Sequence, residues 1–273
     1  MIINPDISVV LTAHREGLLA VATLRSLDRA IAYAAKYGRS IEVLISLDKS
    51  ENLTKDIIEI WAENKADYTQ IFINNFGDPG MSRNHSIQNS RGKYIALLDA
   101  DDMFGTNWLE HSIAAAKADP RNIIWHPEIN VVFGESEHIF CHVDMESREF
   151  DAFAMIAVNP WTCLCFARRE VFLQVPYSRS DFASGVGHED WGWNRRVVEI
   201  GYMHKIVRGT GHAIRRKTVS QVKSASAAGT LPVPTLYFRE QLEKRAMVAA
   251  SRRLLGPLEA IEAASVVPTL PAQ

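Results

Sequence analysis

Over its first 120 residues the chain alternates between two hydrophobic periods, and that alternation admits few folds. "ISVVLTA" (7–13), "IEVLISL" (41–47), "TQIFINN" (69–75) and "KYIALL" (93–98) are short aliphatic runs, several of them β-branched, and predict strands. Between and after them, apolar residues three and four apart predict helices over 16–37, 53–65, 81–89 and 106–118, the last stopping before Pro120. A parallel neighbour cannot be reached through a tight hairpin, so strand and helix in turn imply crossover units. The expected class is α/β, with a Rossmann-like, mostly parallel central sheet and helices on both faces. Strands this apolar suit burial on both sides.

After residue 120 the rhythm changes. "NIIWHPEINVVFG" and "SEHIFCHVDM" predict consecutive strands joined by a turn at 134–136, a small antiparallel extension. A strand at 161–167, a short helix at 168–175, a helix over 188–201 and a strand at 202–207 follow. The polar, small-residue stretch from 218 reads as a loop, and 236–255 as a helix bearing Arg239, Lys244, Arg245, Arg252 and Arg253. The expected division is 1–230 as one domain, with halves 1–120 and 121–230, and 231–273 as a C-terminal helix and loose tail.

Composition narrows the partners. With 47% hydrophobic and 23% charged residues and a net charge of -2, no global basic field points to nucleic acid. Three cysteines without metal-type spacing suit a reducing compartment. No basic and apolar leader opens the chain, and no apolar run reaches the length of a membrane span, so the expected location is cytoplasmic.

In open parallel sheets ligands bind beyond the carboxyl ends of the strands. There the first strand delivers Thr12, His14 and Glu16, the second Asp48 and Ser50, and the connection after the third Arg83 and Asn84. The fourth delivers Asp99, Asp101 and Asp102 within four residues. Capping one helix needs one acid, not three. Asp-x-Asp suits a hard divalent cation such as Mn²⁺ or Mg²⁺, which could bridge a diphosphate. No GxxxxGK[ST] or GxGxxG loop offers the backbone alternative, which favours a nucleotide-sugar over ATP or NAD.

Four stretches in order, "SVVLTAHRE", "IEVLISLDKS", "GMSRNHSIQNSRGKYIALLDADD" and "GHEDWGWNRRV", resemble the family 2 glycosyltransferases of the GT-A fold across roughly residues 7 to 215. The resemblance implies an inverting transfer from a nucleotide-diphosphate sugar, UDP-linked in the first instance, to a glycan, lipid-linked or other hydroxyl acceptor. It implies Thr12, Asp48 and Arg83 at the base, with His14 and Glu16 beside them, Asp99 at the ribose or sugar, and Asp101 on the metal. Asp190 would be the general base, with Glu189 beside it on donor or acceptor. His212 stands where other GT-A enzymes place a third metal ligand. Leu11, His14 and Leu47 depart from the residues usual in that family.

Plainer readings stand beside these. Asp48 with Ser50 could form a turn, Arg83 could pair with an exposed acid, and Glu189 and Asp190 could be first-turn acids favoured by the helix dipole. His212 could be a structural histidine, Trp193 a core residue, and Cys163 and Cys165 packing groups on a strand. The basic C-terminal helix is a solvated face or a contact for anionic lipid. A sugar nucleotidyltransferase would need a Gly-rich basic loop after the first strand, which "TAHREGLLA" lacks. A non-catalytic nucleotide-sugar-binding module remains the alternative of another class.

Overall fold

A computed structural model describes residues 4–248 except 219, 237 and 241. The alternating half is β1 (Ile7–Ala13), α1 (Leu19–Ala35), β2 (Ile41–Asp48), α2 (Asn52–Ala62), β3 (Thr69–Asn74), α3 (Pro79–Asn89), β4 (Tyr94–Asp99), the short β5 (Met103–Phe104) and α4 (Trp108–Ala118). The second half holds β6 (Ile123–Gly134), β7 (His138–Cys141), β8 (Phe166–Arg168), α5 (Arg169–Gln174), α6 (Glu189–Glu199), β9 (Met203–Arg216) and α7 (Gln221–Ala227). One sheet runs β3-β2-β1-β4-β8-β6-β9-β5, with β7 beside β6. β3, β2, β1 and β4 are parallel, as the crossover rhythm demands.

Side-chain alternation along β1 makes two cores. Val9 and Leu11 face one side, with Leu24 and Leu27 of α1, Ile58 of α2 and Trp108 and Ile113 of α4. Val10 faces the other, with Ile87 of α3, Phe172 of α5 and Trp193 and Val197 of α6. Helices therefore cover both faces.

The second half corrects several expectations. The strand expected at 161–167 is ordered as a strand only over Phe166–Arg168. Conversely β9 runs 14 residues, through a "GTG" that reads as a turn. It is held there by β6, which it pairs in parallel from Ile123↔Met203 to Gly134↔Arg216 across an irregularity at Pro127/Ile129. The extension is thus not purely antiparallel. Close approach fixes Gly105, where a Cβ would strike the Gly211 carbonyl oxygen, whereas Gly209 sits in the left-handed region at φ 71. The stretch after 218 contains α7, capped by Ser220 Oγ accepting from Lys223 N at 3.3 Å. Positions 242–248 of the expected C-terminal helix are helical, and Arg245 pairs with Asp151 at 3.0 Å. Arg252, Arg253 and the tail lie outside the described residues. Among the described residues no helix is long and apolar enough to cross a membrane.

Between β6, β9 and the chain after β7 lies a buried imidazole cluster. His126 Nε2 and His204 Nδ1 are 2.8 Å apart, and Trp161 stacks on His204 with ring centres 3.8 Å apart. Burial pushes His126 and His204 well below the ordinary histidine range and His142 down to about 4. Below pH ~6.5 the unfolded chain takes up protons that the folded one refuses, so these groups lose stability as pH falls. The loss is about 1.4 kcal/mol per pH unit per histidine. Buried acids elsewhere oppose it, so the informative measurement is a difference. In urea unfolding, His204→Leu should flatten the fall in stability between about pH 6 and 5 by roughly that slope. Equal slopes in both proteins would mean that His204 accepts a proton in the fold.

Candidate functional site

The polar strand exits converge. A cavity of ≈ 790 Å³ opens at the carboxyl ends of β1, β2 and β4 and is closed on its far side by the start of α6 and the end of β9. Thr12, His14, Glu16, Asp48, Arg83 and Asp99 line it, as do Asp101, Glu189 and Asp190.

Its centre is Arg83, 3% exposed on α3. The helix is aimed by two buried acids. Asp78 caps it by accepting from Met81 N at 2.9 Å, and Pro79 suits its first turn. Asp48 accepts from Gly77 N, Asp78 N and Ser82 Oγ at 3.0, 3.0 and 2.9 Å. Asp48 is therefore fully engaged in fixing the loop into α3. Arg83 then spans the site: one nitrogen donates to Glu189 Oε1 at 2.9 Å and the other to Asp99 Oδ1 and Oδ2 at 3.0 and 3.1 Å. Asp99 also accepts from Thr12 Oγ1 at 2.5 Å and from Cys163 Sγ at 3.2 Å. Burial pushes its carboxyl up, yet Arg83 and these hydrogen bonds outweigh it and hold Asp99 below the ordinary range.

Glu189 and Asp190 begin α6. His188, just before it, sits in the left-handed region at φ 56, a strained turn for a non-glycine residue that delivers Glu189 and Asp190 into the cavity together. Burial, with repulsion from Asp190, pushes Glu189 up to about 7 against the pull of Arg83, and burial raises Asp190 as well. The two differ in partners. Glu189 holds Arg83, whereas Asp190 accepts neutral hydrogen bonds, from Trp191 N at 2.8 Å and Asn159 Nδ2 at 3.2 Å, and has no ion pair among the described residues. Asn194 Nδ2 in turn fixes Asn159 Oδ1 at 2.9 Å. Trp191 lines the cavity, while Trp193 is core, stacked between Phe172 and Tyr177.

At the other end, His14 Nδ1 donates to the Asp48 carbonyl at 2.6 Å, and Glu16 accepts from His14 N at 2.6 Å. Asp101 faces Lys217 Nζ at 2.7 Å, and Glu16 lies 3.5 Å from the same ammonium. Burial tends to lower the Lys217 pKa, but the two carboxylates outweigh it and raise it. Asp102 accepts from Arg215 N at 2.7 Å, and burial raises it well above the carboxylate range.

The donor set expected for Mn²⁺ or Mg²⁺ is not assembled. His212 lies in the core against Phe104 and Trp108, with ring centres 5.0 and 4.7 Å away, because strand alternation points it away from the cavity. Asp99 is taken up by Arg83, and Asp101 already faces a cation. Among the described residues no group of three histidines, cysteines or acids could hold a metal.

Neither Asn159 nor Lys217 is expected at the site from the sequence, which marks Cys163 as packing alone. Cys165 is core, and Cys163, packed against the core on the other side, also touches Asp99 and Arg83. A signal for Lys217 lies in the basic run "RRK" (215–217), beyond the strand that the sequence predicts at 202–207.

The sequence model described as Glycosyl transferase family 2 matches residues 8–174. No curated protein matches the chain. Among solved structures, S. aureus TarS 1-349 in complex with UDP-GlcNAc superposes with a TM-score of 0.59 at 14% identity, over 80% of this chain and 61% of that one. The mannosyltransferase PcManGT from Pyrobaculum calidifontis, with GDP-Man and Mn²⁺, gives 0.56 at 13% over 96% and 79%. GalNAc-T7 with UDP, GalNAc and Mn²⁺ gives 0.58 at 16% over 85% and 45%. The chain thus spans less than two thirds of the TarS fragment, and these similarities establish a shared GT-A fold.

Proposed function

The chain belongs to glycosyl transferase family 2, and from that premise we propose that it transfers a sugar from a nucleotide-diphosphate sugar, UDP-linked in the first instance, to an acceptor hydroxyl. One observation carries the reading: Arg83 ties Asp99, at the end of a nucleotide-type sheet, to Glu189, beside the proposed base, inside one cavity. Donor and acceptor chemistry thereby meet at a single ion-pair bridge. UDP-GlcNAc and UDP in two neighbours, and GDP-Man in a third, support a nucleotide-sugar donor.

In the proposed reaction the acceptor oxygen bonds to the anomeric carbon from the face opposite the diphosphate. The carbon–oxygen bond to the diphosphate breaks, and its electron pair leaves with the diphosphate. Asp190 takes the acceptor proton, so one base suffices and no enzyme nucleophile forms. Residues 1–120 would hold the donor and 121–230 the acceptor, with Trp191 offering a platform for a sugar face. Thr12 and Asp99 would meet the ribose or sugar, and His14 and Glu16 would border the nucleotide. Asp48 would act on the base pocket through the loop it anchors. The acceptor is a glycan, a lipid-linked or another hydroxyl compound; a lipid-linked one would suit a peripheral contact of the basic C-terminal helix with anionic lipid. Support for Mn²⁺ or Mg²⁺ comes from the two neighbours that contain Mn²⁺ and not from this chain's donor set. No step is therefore derived through an ion.

The test is a donor panel. UDP-, GDP- and dTDP-sugars are each added, with and without Mn²⁺, while thermal unfolding and sugar release are followed. At least one class should raise the unfolding temperature and be hydrolysed slowly without acceptor. No shift and no release across the panel would remove the transferase reading.

A further inference from the structure

Given the transferase reading, the structure assigns Lys217 the place of the cation at the diphosphate: we propose that its ammonium, backed by Arg216, neutralises the nucleoside diphosphate where a divalent ion was expected. Lys217 follows β9 directly, and its ammonium lies 2.7 Å from Asp101 Oδ2 and 3.5 Å from Glu16 Oε1. Two acids thus hold a cation at the end of the Asp-x-Asp turn, and its side chain is still 29% exposed, so it borders the cavity instead of being buried in a closed pair.

The surrounding groups leave little room for another cation. Both oxygens of Asp99 are engaged by Arg83, with Thr12 and Cys163 adding to them. Asp102 Oδ1 accepts from the Arg215 backbone. A metal arriving at Asp101 would have to displace Lys217 or share one carboxylate with it, at the cost of placing two cations side by side. Meanwhile the chain offers positive charge of its own. Arg215 and Arg216 precede Lys217 and line the same cavity. Arg215 lies over Phe133, 4.4 Å from the ring centre, whereas Arg216 is exposed and has no ion-pair partner among the described residues. A guanidinium fork suits phosphate oxygens, and an ammonium serves beside it as a point charge.

The chemistry needs no co-reactant. When the bond from the anomeric carbon to the diphosphate breaks, the electron pair stays on the departing phosphate oxygen. A fixed positive charge there stabilises the departing anion without receiving a proton.

The experiment is calorimetric titration of UDP and of GDP into the full chain in EDTA, repeated with Mn²⁺ and with Mg²⁺. The proteins compared are the unmodified one, Lys217→Met and Lys217→Arg. The unmodified protein should bind one of the nucleotides in EDTA, and metal should change the dissociation constant by less than about threefold. Lys217→Met should bind about ten- to a hundredfold more weakly in EDTA, the loss of one charge-assisted contact, while Lys217→Arg keeps most of the affinity. Binding that appears only with metal would overturn the proposal and leave the transferase reading intact. So would a Lys217→Met protein that binds normally in EDTA. Absence of nucleotide binding under every condition would overturn both. If Lys217→Met does not fold, the EDTA and metal titrations of the unmodified protein decide alone.

Discussion

Asp190→Asn is expected to lower turnover by about 10²–10⁴ while leaving nucleotide affinity nearly unchanged, the range for losing general-base assistance alone. The geometry separates the two acids of the pair. Glu189 is committed to Arg83 at 2.9 Å, so its electrons are already drawn toward a cation. Asp190 accepts neutral hydrogen bonds, among them those of Trp191 N and Asn159 Nδ2, and burial raises its pKa. Asparagine keeps the shape and removes the basicity. The pH profile adds a second reading. Asp190, whose pKa burial raises, must shed its proton first, so transfer should decline as pH falls; Glu189, pushed up to about 7, takes up its own proton below that value. Steady-state rates with the donor found in the panel, together with nucleotide titrations, check both parts. Near-normal transfer by the Asp190→Asn protein, with loss in Glu189→Gln, would move the base to Glu189.

Arg83→Met is expected to cost about 3–5 kcal/mol of folding stability near neutral pH, because it leaves buried acids without their counter-charge. Arg83 is 3% exposed, and Asp99 and Glu189 both depend on it. The sign of the pH dependence follows from Asp99. In the native protein Arg83 holds that carboxyl below its ordinary range, so its contribution is present above the unfolded pKa and lost as pH falls. Without Arg83 burial dominates and raises the carboxyl, so the folded variant binds a proton more tightly than the unfolded chain. Its deficit should then shrink between about pH 7 and 5. Arg83→Lys restores the charge but not the fork, and should recover only part of the stability. Urea unfolding at both values measures this. A deficit under about 1 kcal/mol would mean that solvent or a rearranged partner replaces the bridge.

The sequence was most legible where backbone period alone decides the outcome. β1 spans the expected 7–13, and β2, β3 and β4 fall within a residue at each end, because strands buried on both faces carry unbroken aliphatic runs. The strand-exit rule likewise brought Thr12, Asp99, Asp101 and Arg83 into one cavity with Glu189 and Asp190. Legibility failed where pairing overrode local propensity. β9 continues through Gly209 and Gly211 because β6 lies beside it, and that extension turns His212 into the core and carries Lys217 to Asp101.

The chain's local patterns therefore determined that a parallel α/β sheet forms and that its acidic and polar exits share one end. Period, capping and turn chemistry act over a few residues and can be read one stretch at a time. Only the tertiary structure decided which charge meets which. Arg83 and Glu189 are 106 positions apart and Lys217 and Glu16 are 201 apart, and no spacing rule links such pairs. Whether an acid faces a metal, a lysine or an arginine is set by which side chain the completed fold brings within about 3 Å of it, since ion pairing in a buried site depends steeply on distance and desolvation.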